Sequence, residues 1–166
     1  MTDQGFVCRG CGERHDGLPF SYGSDAPAYW HDGLAGDESS VLEQEICVIG
    51  GEHYFVRARI VIPVLDAGRD FEWGVWASLS RPNFKRTLDT WETPGREHEP
   101  SSFGWLSTEL PVYPSTINLK THVHPEPVGT RPHLELEPTD HPLAVEQRTG
   151  ITVARVQEIA ERLLHP

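Results

Sequence analysis

Three things are scarce in this sequence, and each scarcity excludes a class of protein. No stretch of the 166 residues approaches the roughly 18 consecutive apolar residues of a membrane span. The opening MTDQGFVCRGCGE lacks the basic start and apolar centre of a secretory signal, so a cytoplasmic protein is expected. Positive charge is the second shortage: 14 Lys and Arg stand against 25 Asp and Glu, a net charge of −11 with histidine neutral. Such a balance argues against a nucleic-acid binder, whose affinity comes from cations neutralising phosphates, and against docking on anionic membranes. Cysteine is the third, with only three residues. A chain of this size buries enough surface to fold without stapling, and an odd count in a reducing compartment points to thiols or a metal.

Catalytic signatures are missing too. There is no Gly-x-Gly-x-x-Gly, P-loop, Gly-x-Ser-x-Gly or His-Glu-x-x-His, so common nucleotide and hydrolase chemistries lose support.

What is present describes a folding chain. Hydrophobic residues make up 37%, with five Trp, six Phe and four Tyr, too aromatic for a disordered acidic tail. The length suits a single domain over residues 1–166. Residues 1–45 hold nine acidic residues against two arginines, and so carry −7 of the −11. This acidic front reads as loop, with one short helix around Asp37–Gln44.

From Ile46 the pattern changes. The β-branched runs 46–49 and 54–62 are separated by Gly50-Gly51, which predicts a hairpin. In the second run Phe55, Arg57 and Arg59 alternate with Tyr54, Val56, Ala58 and Ile60, and Pro63 is expected to end the ladder or mark an edge. A third strand follows over Phe71–Ser80, with Phe71, Trp73 and Val75 on one face and Trp76 and Ser78 on the other. Ser80 caps a helix reaching about Trp91. A short piece around Phe103–Leu110 and strands at Thr116–Val123 and His133–Leu136 come next. Thr139 is read as the cap of a helix through Arg148, and Thr152 as the cap of the last one. Hairpin-like pairs with helices inserted once and then gathered at the end predict an α+β fold, mainly an antiparallel sheet packed with helices. Its parts are the acidic region 1–45, a sheet with one inserted helix over 46–137, and C-terminal helices over 138–166.

The sharpest local chemistry is Cys8-Arg9-Gly10-Cys11-Gly12-Glu13-Arg14-His15. A Cys-x-x-Cys-Gly turn converges two thiolates on one ion, and zinc is the ion that prefers such donors. The other ligand candidates are His15, Cys47, His31 and His53, with Cys8, Cys11, His15 and Cys47 the favoured set for a structural zinc site. The plain alternative is free thiols in a terminal turn and a buried Cys47. A thioredoxin-like role lacks the strand before and the helix after the motif.

Other constellations have simpler readings beside the sharp one. His122 and His124 share a strand face and could chelate with His133, or be exposed edge histidines. Glu137, Asp140 and His141 at a strand-to-helix junction offer acid–base chemistry, or simply an acidic helix start. Arg57, Arg59 and Arg131 are available to meet these carboxylates or an anionic ligand. Trp73, Trp76, Trp91, Phe103 and Trp105 are core material first and a ligand groove second.

Several longer strings carry a resemblance. Cys8-x-x-Cys11-Gly12-x-x-His15, the run from Phe71 to Ser80, Phe103-Gly104-Trp105-Leu106, Asn118-Leu119-Lys120 and the run from Glu135 to Ala144 resemble, in that order, an uncharacterised bacterial family, domain of unknown function 2199. The resemblance covers nearly the whole chain and implies a small bacterial cytoplasmic protein, without assigning any residue a role. Function is therefore expected to be non-enzymatic binding, with structural zinc and a basic protein partner for the acidic surface. The competing expectation is a small enzyme working through Glu137, Asp140 and His141 near Trp105.

Overall fold

The computed structural model describes residues 5–166, so the first four residues of the acidic region, and of the N-terminus read for a signal, lie outside it. The scaffold starts from two strands, β5 (Ile46–Ile49) and β6 (His53–Val64), joined where Gly50 and Gly51 adopt φ of +63° and +69°. Glycine takes two successive left-handed conformations at no steric cost, so the pair suits a tight hairpin turn. β6 then turns into β7 (Arg69–Leu79), in register from Tyr54↔Leu79 to Val64↔Arg69. Pro63 does not end this ladder. Its carbonyl faces away from β7 and accepts from Ile151 N–H at 2.8 Å, so the missing N–H falls on the edge where β7 needs none.

After β7, Ser80 Oγ accepts from Asn83 N–H and opens α1 (Arg81–Asp89). β8 (Ser102–Leu106), β9 (Lys120–His124) and β10 (His133–Leu136) then run antiparallel, each to the one before, with β8 on β7. β10 returns to β6 in parallel, through His133↔Arg59. The five strands β6 to β10 therefore form a closed barrel. This overturns the expected α+β sheet covered by helices. An odd number of consecutively antiparallel strands brings the first and last together in parallel, a pairing that hairpin-by-hairpin reading does not contain.

Alternation fills the barrel. Val56, Ala58, Ile60 and Ile62 from β6 meet Phe71, Trp73, Val75 and Ala77 from β7, with Leu106, Val123, Leu134 and Leu136 completing one buried cluster. The helices α2 (Pro142–Thr149) and α3 (Val153–Leu164) add Leu143, Val156 and Ile159 to the same core. Thr152 caps α3 by accepting from Arg155 N–H, as its sequence suggests. α2 is capped by His141, whose Nδ1 accepts from Leu143 N–H, whereas Thr139 Oγ1 accepts from His141 N–H one step earlier. Asn118, at φ +64°, interrupts the extended backbone while its N–H still donates to Leu106 O at 2.7 Å, and β9 starts at Lys120 and not Thr116.

The acidic front differs from expectation as well. Around 37–44 there is no helix: a 3-10 turn spans Asp32–Gly36, and β4 (Val41–Leu42) pairs with β5. Asp37 explains this, because its carboxylate accepts from Ser39 N–H and from the hydroxyls of Ser39 and Ser40, a local turn that competes with helical bonding. β3 (Ser21–Tyr22) runs parallel to β7, and β1 (Phe6–Val7) and β2 (Arg14–His15) form a separate two-stranded ribbon. No helix among the described residues is long and apolar enough to cross a membrane.

Candidate metal centre

The ribbon β1–β2 exists to turn the chain tightly at 8–12. Gly12, at φ +75°, donates its N–H to Cys8 O at 2.8 Å, and Cys8 N–H donates to Glu13 O at 2.9 Å. Gly10 N–H donates to Cys8 Sγ at 3.3 Å, the type of bond that steadies a thiolate. His15, on β2 opposite Phe6, brings its Nε2 to 3.4 Å from Cys11 Sγ. In a tetrahedral zinc site neighbouring sulfur and nitrogen donors lie roughly 3.3–3.8 Å apart, so this pair already has the required spacing.

The fourth donor comes from the far end of the chain. His165, one residue past α3, joins Cys8, Cys11 and His15, and the ligand atoms of all four lie within 4.8 Å of one another. Gly10 makes the approach possible, because a Cβ there would sit 2.7 Å from His165 Cδ2. Cys8 is fully buried, His15 is half-buried, and Cys11 and His165 are exposed.

Helix α3 is tied to the turn by more than its last histidine. Ala160 packs with Phe6 and Cys8, and Gln157 Nε2 donates to Val7 O at 3.0 Å. Glu161 accepts from Arg9 N–H at 2.5 Å and from Arg9 Nε at 3.1 Å. The Arg9 backbone N–H holds the Glu161 carboxyl below the usual carboxylate range, with help from Gln157 and the Arg9 guanidinium.

Cys47 does not join this group. It lies on β5 against Phe55 and Trp76, completely buried, and burial pushes its thiol up to about 11. Its surroundings make it a small apolar core residue, not a metal ligand. His31 and His53 are exposed at separate places, before the 3-10 turn and at the start of β6.

Of the strand histidines, His124 and His133 meet while His122 turns to a carboxylate. His122 faces Glu137 Oε2 at 3.2 Å, while His124 stacks on His133 with ring centroids 4.8 Å apart. His133 Nδ1 is 2.6 Å from Glu126 Oε1. Burial, and then the charge of His133, lower the affinity of His124 for a proton.

Glu137, Asp140 and His141 are not brought to one point. His141 is engaged as a helix cap with its Nε2 facing Pro114 O and Ser115 O, Glu137 is on His122, and Asp140 is exposed. The arginines take other carboxylates: Arg131 grips Glu45 and Arg59 meets Glu72 and Glu126. Of the aromatics, Trp73 and Trp76 are core, while Phe103 and Trp105 form an exposed edge-to-face pair outside the barrel.

Against known proteins, the chain matches one family model over residues 7–151, described as an uncharacterized protein conserved in bacteria, domain of unknown function 2199. The chain belongs to this family. No curated protein and no solved structure matches it. The family match takes in Cys8, Cys11 and His15 and stops before His165, the one donor that sequence reasoning missed. A lone histidine near a C-terminus carries no spacing signal, and its nearness to Cys8 depends on how α3 packs.

Proposed function

We propose that this chain is a non-enzymatic binding protein whose N-terminal turn and C-terminal helix are clasped by a zinc ion. The observation that supports the clasp is the convergence of Cys8, Cys11, His15 and His165. Two thiolates and two imidazoles are a soft, borderline donor set that suits zinc and disfavours magnesium or calcium. Four protein ligands leave no open position for a substrate, which is the pattern of a structural site. Bound there, zinc would join residues 8 and 165 and hold α3 against the barrel.

The partner reading rests on charge. Exposed carboxylates at Asp16, Asp25, Asp32, Glu38 and Glu43 give the front of the molecule a field that favours capture of a basic protein. Elemental analysis of protein purified without added metal tests the clasp. About one equivalent of zinc is expected, and less than about 0.2 equivalents with Cys8 and Cys11 freely reactive overturns it. For the partner, a pulldown from bacterial lysate at low salt should retain a basic protein that raised salt releases. No retained protein, together with turnover of a substrate by the purified chain, overturns the binding reading.

A further inference from the structure

The thiols of this chain occupy two unlike places. Cys47 is buried on β5 against Phe55 and Trp76, in a cluster separate from the N-terminal turn. Cys8 and Cys11 share that turn, with their sulfurs within 4.8 Å of each other, and they differ in access: Cys8 is fully buried, whereas Cys11 is exposed. An oxidant arriving from water therefore meets Cys11 first. His15 Nε2 stands 3.4 Å from its sulfur, and Cys8 lies behind it.

The turn keeps its shape without help from a metal. Gly12 N–H donates to Cys8 O, Cys8 N–H to Glu13 O, and Arg9 N–H to the Glu161 carboxylate. Gln157 fastens Val7 to α3 from the other side. None of these bonds uses a thiol, so the two sulfurs stay neighbours whether or not an ion lies between them. Two thiolates on one tetrahedral zinc sit roughly 3.8 Å apart, and bonded sulfurs about 2.05 Å. Passing from one arrangement to the other asks for side-chain rotation and a small closure of the Cys8–Cys11 loop.

We propose that Cys8 and Cys11 form a reversible dithiol–disulfide couple, oxidised at Cys11 by a hydroperoxide, which opens the clasp. The couple stands on the two sulfurs alone, while the opening of the clasp rests on the zinc site proposed above. With hydrogen peroxide, the Cys11 sulfur attacks one oxygen, the O–O bond breaks, and the other oxygen leaves as hydroxide and is protonated to water, which yields a sulfenic acid. Cys8 Sγ then attacks the Cys11 sulfur, the S–O bond breaks, and a second hydroxide leaves and is protonated. The pair gives up two electrons and one peroxide becomes two waters; the two protons come from solvent when the sulfurs start as thiolates. A disulfide sulfur carries no thiolate charge, so His15 and His165 alone remain as donors. Helix α3 stays seated through Val156 and Ile159, which confines the change to the chain end at His165.

Treating the purified protein with hydrogen peroxide in slight molar excess tests this. Zinc is measured before treatment, zinc released is read with a chromogenic chelator, and the bonded cysteines are mapped by peptide mass. A Cys8–Cys11 disulfide is expected, with about one zinc released for each bond formed and both changes reversed by dithiothreitol and added zinc. Cys47→Ala should alter none of this. In Cys8→Ser, oxidation should stop at a Cys11 sulfenic acid that dimedone captures; should that variant fold poorly by circular dichroism, the mass map of the unaltered protein decides. Thiols that stay reduced, Cys11 carried to sulfinic acid with no disulfide, or a disulfide formed with zinc retained each overturns the proposal. Protein without zinc at the outset overturns the clasp and its opening, and the couple then stands or falls on the mass map.

Discussion

The barrel and the terminal clasp solve the same problem, holding chain segments together, by different means. In the barrel, β6 and β7 stay in register over 11 residue pairs and alternate apolar residues into one dry core. In the clasp the strands are two residues long, and the buried set is Phe6, Cys8 and Ala160 with Leu18 packed on it. Apolar area secures the first, whereas directional groups serve the second: a buried carboxylate on the Arg9 N–H, the Gln157 amide donating to Val7 O, and four potential metal-ligand atoms. A small satellite cluster this poor in apolar surface leans on directional groups, and its four donor atoms lie close enough to hold a metal ion.

The largest effect should come from attacking the barrel. Trp73→Ala removes a fully packed indole and leaves Tyr113 Oη without the Trp73 Nε1–H that reaches it at 3.1 Å. A loss of about 3–5 kcal/mol, read as a cooperative fall in urea midpoint, is expected. His165→Ala attacks the clasp and should behave differently. Zinc affinity is expected to fall by more than the roughly 100-fold that even an outer-shell change can cost. Hydrogen exchange should then quicken at the amides of Cys8 and Gly12 while those of β6 and β7 stay protected. Equal loss of protection in both regions would show that the two are one cooperative unit, and the comparison would break.

The same division governs what the sequence discloses. Of the barrel strands, β6, β7 and β10 are legible from local signals, β-branched runs, Gly50-Gly51 and the Ser80 cap among them, whereas β8 reads only as a short piece around Phe103–Leu110 and β9 is placed four residues early. The closure of the barrel is not legible, since β10 rejoins β6 through the single pair His133↔Arg59 and in the parallel sense. In the clasp, Cys8, Cys11 and His15 are legible from spacing, but His165 is reached only through the packing of α3 some 150 residues later. Cys47 shows the opposite failure. Its thiol suggests a ligand, while Phe55 and Trp76 around it make it core. The acidic string at 135–141 likewise reads as chemistry, yet its histidine is occupied by the first turn of α2.

Thiol reactivity sharpens the comparison at intermediate cost. With its thiol near 11, Cys47 holds only about one thiolate in a thousand at pH 8, and it is buried as well. Chelation of the purified protein should therefore expose Cys8 and Cys11 to a disulfide reagent while Cys47 reacts only on unfolding. Early labelling of Cys47 would mean that β5 opens with the clasp and that the barrel edge is not independent of it.

The smallest expected effect is a pH dependence confined to the barrel wall. Burial and the neighbouring His133 depress the pKa of His124 below its ordinary 6.5. Its depressed folded pKa means that the unfolded chain binds the proton more readily, so the contribution is fully present above about pH 6.5 and is lost as pH falls through the lower folded value. Glu135 and Glu126 oppose this, and His122 adds to it. His124→Phe should flatten the slope of unfolding free energy against pH as pH falls below about 6.5, measured by urea titration. It should leave zinc content unchanged, because His124 lies on β9 and not among the four clasp donors. A slope that persists in this variant but disappears in His165→Ala would move the pH sensitivity from the barrel to the clasp, reversing which of the two regions answers to protons.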